Sequence, residues 1–160
     1  MNKKNLIYLS SAFLGGVLLV FAIIYFSAQG IMMKEKQLNI SFAEADTLFQ
    51  QTTIAKGWKV VTVHDMQATM KKNGKDVKSI KVYELCHPEH AYKVLSQDAE
   101  RIVSSLMPCR VSIYEKSNGK TYVSWMNTGL LGSLMKGVVP EVMKDASRES
   151  EEIISVLLSK

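Results

Sequence analysis

Two cysteines and two histidines lie close enough in the sequence to form one site. Cys86, His87 and His90 fall within five residues, and Cys109 follows Pro108 about twenty residues later. Thiolate and imidazole groups suit Zn²⁺, Cu⁺ and haem iron. Their spacing differs from that of structural zinc motifs. The pattern therefore predicts a site for a metal ion or haem at Cys86, His87, His90 and Cys109, without specifying which.

The cysteines also allow other interpretations. Cys86 ends a predicted strand and Pro88 begins a predicted helix, and a helix N-terminus stabilises a reactive thiolate. A free cysteine at that place is equally well explained as a small buried hydrophobe. Cys86 and Cys109 are the chain's two cysteines, and such a pair in an oxidising compartment usually forms a structural disulfide. Because there is no Cys-x-x-Cys motif, thiol-disulfide exchange is a weaker alternative.

Four residues near the cysteines are further candidates for ligand binding or redox chemistry. Glu84 precedes Cys86 by two positions, and Arg110 follows Cys109. Tyr114 and Trp125 lie on the two strands of a predicted hairpin, where aromatic rings line either a ligand face or a dimer interface. Each also has a purely structural interpretation. Glu84 is then a solvated residue at the end of a strand, and Trp125 packs within the sheet.

Helices and strands must alternate to position these residues. Ser41 and Glu44 form a capping box that starts a helix ending near Ala55, and Pro88 suits the first turn of a helix through Leu95. Asn118-Gly119 predicts a hairpin turn. Further strands and a last helix follow from composition and periodicity: strands at 58–63, 80–85, 109–114 and 120–126, and a helix from Pro140. This order predicts an α+β domain with a mainly antiparallel sheet covered by helices.

The first 33 residues differ sharply from the rest. The 29 positions from Asn5 to Met33 carry no charge, and Leu6–Ala28 is long enough, as a helix, to cross a bilayer of about 30 Å. We therefore expect a cytoplasmic N-terminus at residues 1–5, a retained transmembrane helix at 6–28, a tether at 29–40 and one α+β domain at 41–160. The competing interpretation is a cleaved signal peptide.

The net charge of +5 is distributed unevenly. Three lysines flank the apolar segment, whereas 17 basic and 15 acidic residues from Glu35 onward nearly balance. Nucleic-acid binding requires basic residues clustered on one face. The composition therefore argues against a nucleic-acid partner. The predicted location is the cytoplasmic membrane, as a single-pass protein with its C-terminal domain in the periplasm or outside.

Three segments together resemble the domain of unknown function family numbered 302. They are Gly57-Trp58, the segment 84–91 (ELCHPEHA) and the segment 106–115 (LMPCRVSIYE). The family pattern is Cys-x-Pro-x-x-Ala followed by Leu-x-Pro-Cys and a strand ending in Tyr-Glu. The resemblance implies a β-α-β4-α domain like that of the TATA-binding protein, often a homodimer and mostly prokaryotic. It implies no chemistry, and His87 departs from the small polar residue expected there.

Two hypotheses of different classes follow. The first is a membrane-anchored binding module that holds a small ligand, a metal ion or haem near the two cysteines and two histidines. The second is a structural or interaction domain that forms a homodimer or docks to another envelope protein, with a Cys86–Cys109 bridge inside it. The sequence contains none of the common hydrolase, zinc-protease or dinucleotide-binding motifs, which favours a non-enzymatic role, and a thiol-disulfide redox protein is the third and weaker hypothesis.

Overall fold

The computed structural model describes residues 3–160, with side chains described at residue 8, 12–25 and 30–160. The chain divides into an N-terminal unit, Met1–Ile31, and a domain, Met32–Lys160. The helix α1 spans Lys3–Met32. Within the described part of the chain, no helix combines the length and apolar character needed to cross a membrane. The predicted transmembrane segment, Leu6–Ala28, lies partly outside the described side chains, and the structure gives it no support.

Five antiparallel strands form one sheet with the order β1-β5-β4-β3-β2. The strands are β1 Met33–Gln37, β2 Lys59–Asp65, β3 Ile80–Cys86, β4 Cys109–Glu115 and β5 Thr121–Met126. The helices of the domain are α2 Phe42–Ala55, α3 Met66–Lys72, α4 Pro88–Leu95, a 3-10 helix Asp98–Leu106, α5 Thr128–Ser133 and α6 Val139–Leu158. The predicted α+β class, with an antiparallel sheet covered by helices, is confirmed.

The first strand lies in the segment that the sequence predicts to be a tether. Residues 33–37 pair with β5, so that Met33 is opposite Met126 and Gln37 is opposite Tyr122. The sequence MKEKQ has no β-branched residue, and its charges are typical of an edge strand that is protected from further pairing. The prediction of a tether was therefore wrong for this strand, because its pairing depends on β5, which lies far away in the sequence.

One face of the sheet packs against α2 and α6 to form the main core. Phe49 and Tyr83 are fully buried and meet edge to face, with their ring centroids 5.0 Å apart. Helical spacing in the last segment places Val142, Ala146, Ile153 and Leu157 on one face, and all four are buried on α6. The register of the hairpin pairs Tyr114 with Tyr122 on the opposite, open face of the sheet.

A half-buried carboxylate connects α2 to the sheet. Asp46 accepts hydrogen bonds from Lys81 Nζ, the Tyr83 hydroxyl at 2.8 Å and Gln50 Nε2 at 2.6 Å. Burial opposes the ionisation of Asp46, but these three donors outweigh it and hold the pKa of this carboxyl below its usual value. Asp46 therefore stabilises the fold as an anion.

We expect acid to remove this contribution. Because the pKa of Asp46 is lower in the folded chain than its value of about 3.9 in the unfolded chain, its stabilisation is complete above that pH and is lost as the pH falls through the folded pKa. Asp46→Asn should lower the free energy of unfolding by about 1–2 kcal/mol at pH 7 and by progressively less below pH 4. Urea unfolding from pH 2 to pH 7 measures this. Asp98→Asn, at an 89% exposed carboxylate, is the control. A deficit that is independent of pH would contradict the assignment.

Candidate metal centre

The end of β3 brings two imidazoles together. The strand ends at Cys86, His87 adopts an extended backbone as the N-cap residue of α4, and Pro88 occupies the first turn of that helix. Proline fits this position because it has no amide hydrogen to leave unpaired. His90 lies on the same turn, and the centroids of the His87 and His90 rings are 4.5 Å apart.

The helix α6 supplies a carboxylate to this pair. Glu149 Oε2 lies 3.0 Å from His90 Nε2 and accepts a hydrogen bond of 3.2 Å from Trp58 Nε1. Trp58 is 3% exposed, and its ring packs against both imidazoles, at centroid distances of 5.5 and 6.0 Å. The indole thus holds the carboxylate in place and shields the histidines from solvent.

His87, His90 and Glu149 have the geometry of a ligand set. Each offers one ligand atom, and these atoms all lie within 4.8 Å of one another. Nδ1 of His87 and Nδ1 of His90 are buried without any hydrogen-bond partner in the structure. Buried polar atoms are nearly always paired, so two adjacent orphaned nitrogens are the signature that a missing cation would explain.

Glu149 has the charge that a cation requires. Burial opposes its ionisation, but the hydrogen bond and charge of His90, the Trp58 donor and the charge of His87 outweigh it and hold the pKa of Glu149 below its usual value. The carboxylate is therefore ionised at neutral pH and acts purely as an acceptor, so His90 Nε2 donates to it.

The two cysteines lie beside this cluster and do not belong to it. Among the described residues, the group suited to a metal ion consists of His87, His90 and Glu149, with neither sulfur included. The predicted set combined the two histidines with Cys86 and Cys109, whereas the observed group contains Glu149 in place of the cysteines. Burial, and then the neighbouring Cys86, raise the pKa of Cys109 to about 11, so its thiol is protonated at neutral pH.

The structure contains no disulfide between the cysteines. Both are free thiols and both are partly buried. Cys109 pairs with Leu85 rather than with Cys86, and successive side chains of a strand point to opposite faces of the sheet. Cys86 is thus one residue away from the position opposite Cys109. This offset between β3 and β4 explains why the predicted disulfide is not formed.

A small cavity of about 30 Å³ adjoins the histidines. His87 and His90 contribute to its wall, together with Trp58, Met107 and Cys109. The remaining lining is apolar apart from the thiol of Cys86, and three of its side chains are buried valines: Val94, Val103 and Val142. A space of this size admits about two water-sized groups. It is too small for the haem that the sequence had suggested as one alternative.

The other predicted ligand residues lie away from this centre. Glu84 Oε1 accepts a hydrogen bond of 3.0 Å from Arg110 and lies 3.2 Å from His64 Nε2. Hydrogen bonds from His64 and Arg110 hold the pKa of Glu84 below its usual value, although burial opposes this. Tyr114 stacks on Tyr122.

Trp125 also lies outside the metal centre. It is buried in the main core, and its Nε1 is 3.5 Å from Glu151. The structure thus brings together His87, His90, Cys86 and Cys109, and it places Glu84, Arg110, Tyr114 and Trp125 elsewhere.

Glu149 is the functional candidate that the sequence analysis missed. The charged run at 148–152 suggests from sequence alone either the solvated side of the last helix or a break in it. A signal was nevertheless present, because Glu149 falls three residues after Ala146 and four before Ile153, inside the apolar stripe of α6. A lone carboxylate at a core position of an amphipathic helix indicates a buried partner.

The comparisons with known proteins fit the fold. The family described as "Domain of unknown function DUF302" matches residues 34–157. The chain belongs to the DUF302 family. Among solved structures, this DUF302 chain is similar to a protein from Bacillus stearothermophilus. That structure is described as "Crystal structure of uncharacterized conserved protein DUF302 from Bacillus stearothermophilus", and the two chains have a TM-score of 0.71 and 17% sequence identity. The match covers 79% of this chain and 98% of that one. No curated protein matches the chain.

Membership of DUF302 confirms the resemblance that segments 84–91 and 106–115 suggested. The match begins at residue 34, which places β1 inside the family's domain and agrees with the pairing of that strand. At 17% identity, the likeness to the solved structure concerns the fold alone.

Proposed function

We propose that this DUF302 chain is a metal-binding module that holds one divalent transition-metal ion through His87, His90 and Glu149. One observation carries the proposal. Two buried imidazole nitrogens without partners lie beside an ionised carboxylate, and the three ligand atoms are within 4.8 Å of one another.

The donor set suits particular metals. Two imidazoles and one carboxylate bind Zn²⁺ with an open fourth position, and they are also the ligands of non-haem Fe²⁺ sites. Trp58 Nε1 donates to Glu149 and thereby orients a ligand from outside the coordination sphere, a support that typically matters to affinity. A bound ion supplies Lewis acidity, while the apolar surroundings limit access of water.

The test is a metal titration of the full-length chain after treatment with a chelator. We expect one equivalent of Co²⁺ or Zn²⁺ to bind, measured by calorimetry and by the visible spectrum of cobalt. His87→Ala and His90→Ala should each abolish or strongly weaken binding.

The third histidine provides the matched control. His64 is 45% exposed and pairs with Glu84 on the open face of the sheet, so His64→Ala should bind metal like the unmodified chain. Equal binding by all three variants, or no binding by the unmodified chain, would overturn the proposal.

Location and assembly stay separate proposals. The proposal of a cytoplasmic-membrane location, with the domain outside the cytoplasm, rests on the uncharged run Asn5–Met33. A reporter enzyme fused after Lys160 tests this location. Reporter activity confined to the cytoplasm would refute it. The homodimer rests on the family resemblance, and sedimentation of the full-length chain tests that.

A further inference from the structure

The cavity beside the histidines has features that restrict what can occupy it. It is about 30 Å³ in volume, and His87 and His90 form part of its wall. Val94, Val103 and Val142 line it and are 1%, 4% and 5% exposed. An ion held by the two imidazoles would therefore border a small, mostly apolar space.

We propose that the metal centre binds a diatomic gas, such as nitric oxide or dioxygen, in the cavity bordered by His87, His90 and Val103. This inference rests on the proposed function with Fe²⁺ as the ion, because the gas would bind to the iron at a position that the three protein ligands leave open. Binding is reversible coordination and requires no oxidant or reductant.

Size and polarity both favour this class of ligand. The space holds about two water-sized groups, which excludes organic substrates with several heavy atoms. Cavities lined by apolar side chains stay dry and accept apolar guests, which favours a neutral diatomic molecule over a strongly hydrated ligand. Two thiols, Cys86 and Cys109, also line the wall, and burial raises the pKa of Cys109 to about 11.

Nitric oxide is the probe for the test. The full-length chain is loaded with Fe²⁺ without oxygen, its iron content is measured, and nitric oxide is then added. We expect one iron per chain and the EPR signal of a high-spin iron–nitrosyl complex. Iron binding without this signal would overturn the inference and leave the metal proposal intact. Failure to bind iron would also overturn the inference, whereas the metal proposal is overturned only if the chain binds neither Co²⁺ nor Zn²⁺ as well.

Cavity variants test the location of the gas. Val103→Ile adds a methyl group to the cavity wall and should lower the affinity for nitric oxide about tenfold or more, without changing the iron content. Val61→Ile is the matched control on β2, because Val61 is 56% exposed. Equal nitric oxide affinity in both variants would show that the gas does not occupy this cavity.

Discussion

Replacing Glu149 by glutamine is expected to weaken the binding of Zn²⁺ about 100-fold or more. Loss of an outer-shell partner of a metal ligand typically costs 10–100-fold in affinity, and Glu149 is proposed to contact the ion directly. Glutamine keeps the shape and can still accept from Trp58 and His90, while it removes the negative charge. The measurement is a competition titration of the full-length chain with a chromophoric chelator.

The stability of the same variant separates a ligand from a structural role. Glu149→Gln retains an acceptor for both donors, so the metal-free protein should lose less unfolding free energy than Glu149→Ala does. Glu149→Ala should cost about 1–3 kcal/mol, since it leaves Trp58 Nε1 and His90 Nε2 without their partner.

A neighbouring glutamate supplies the control. Glu152 lies one turn further along α6, is about half exposed and pairs with Lys56 and Arg148 at the surface. Glu152→Gln should leave metal affinity unchanged. If Glu149→Gln binds Zn²⁺ as tightly as Glu152→Gln does, Glu149 is not a ligand.

Replacing Phe49 by alanine is expected to lower the free energy of unfolding by about 3–5 kcal/mol. Phe49 is fully buried between α2 and the sheet, and it contacts the buried Tyr83 ring at a centroid distance of 5.0 Å. Truncation removes buried apolar area and leaves a cavity that rigid neighbours cannot fill. It also removes an aromatic pair. Urea unfolding followed by tryptophan fluorescence measures the loss.

The matched control for Phe49 lies on the same helix. Ile54 is 66% exposed, so Ile54→Ala should change stability by no more than about 0.5 kcal/mol. A similar effect of both variants would mean that α2 does not pack on the sheet through Phe49. Loss of metal binding in Phe49→Ala under folding conditions would further indicate that the core positions α6.

Local signals made much of the fold predictable from the sequence. Ser41 accepts from the amide of Glu44 at 3.3 Å, as the capping box implies. The helix that begins at Pro88 ends at Leu95 as predicted, and Gly119 has the positive φ of 74° that the hairpin turn requires. Each of these features depends on a few adjacent residues, whose chemistry favours one backbone conformation.

The strand β1 and the hairpin register could not be read from local sequence. β1 has weak strand propensity and exists through its hydrogen bonds to β5. Several loop lengths around Asn118-Gly119 are compatible with the sequence, and the pairing of Tyr114 with Tyr122 selects one of them. That choice puts both tyrosines on the open face and Trp125 in the core.

By itself, the sequence determined the α+β class and the family. It also determined that His87 and His90 lie close together, because side chains three positions apart at a helical turn are neighbours. Tertiary structure alone decided the third member of the cluster. Glu149 is 59 residues from His90, and it reaches the histidines because the apolar stripe of α6 must face the sheet. The packing of α6 on the sheet, rather than spacing along the chain, therefore places a carboxylate beside the histidines in the candidate ligand set, where the sequence had suggested the cysteines.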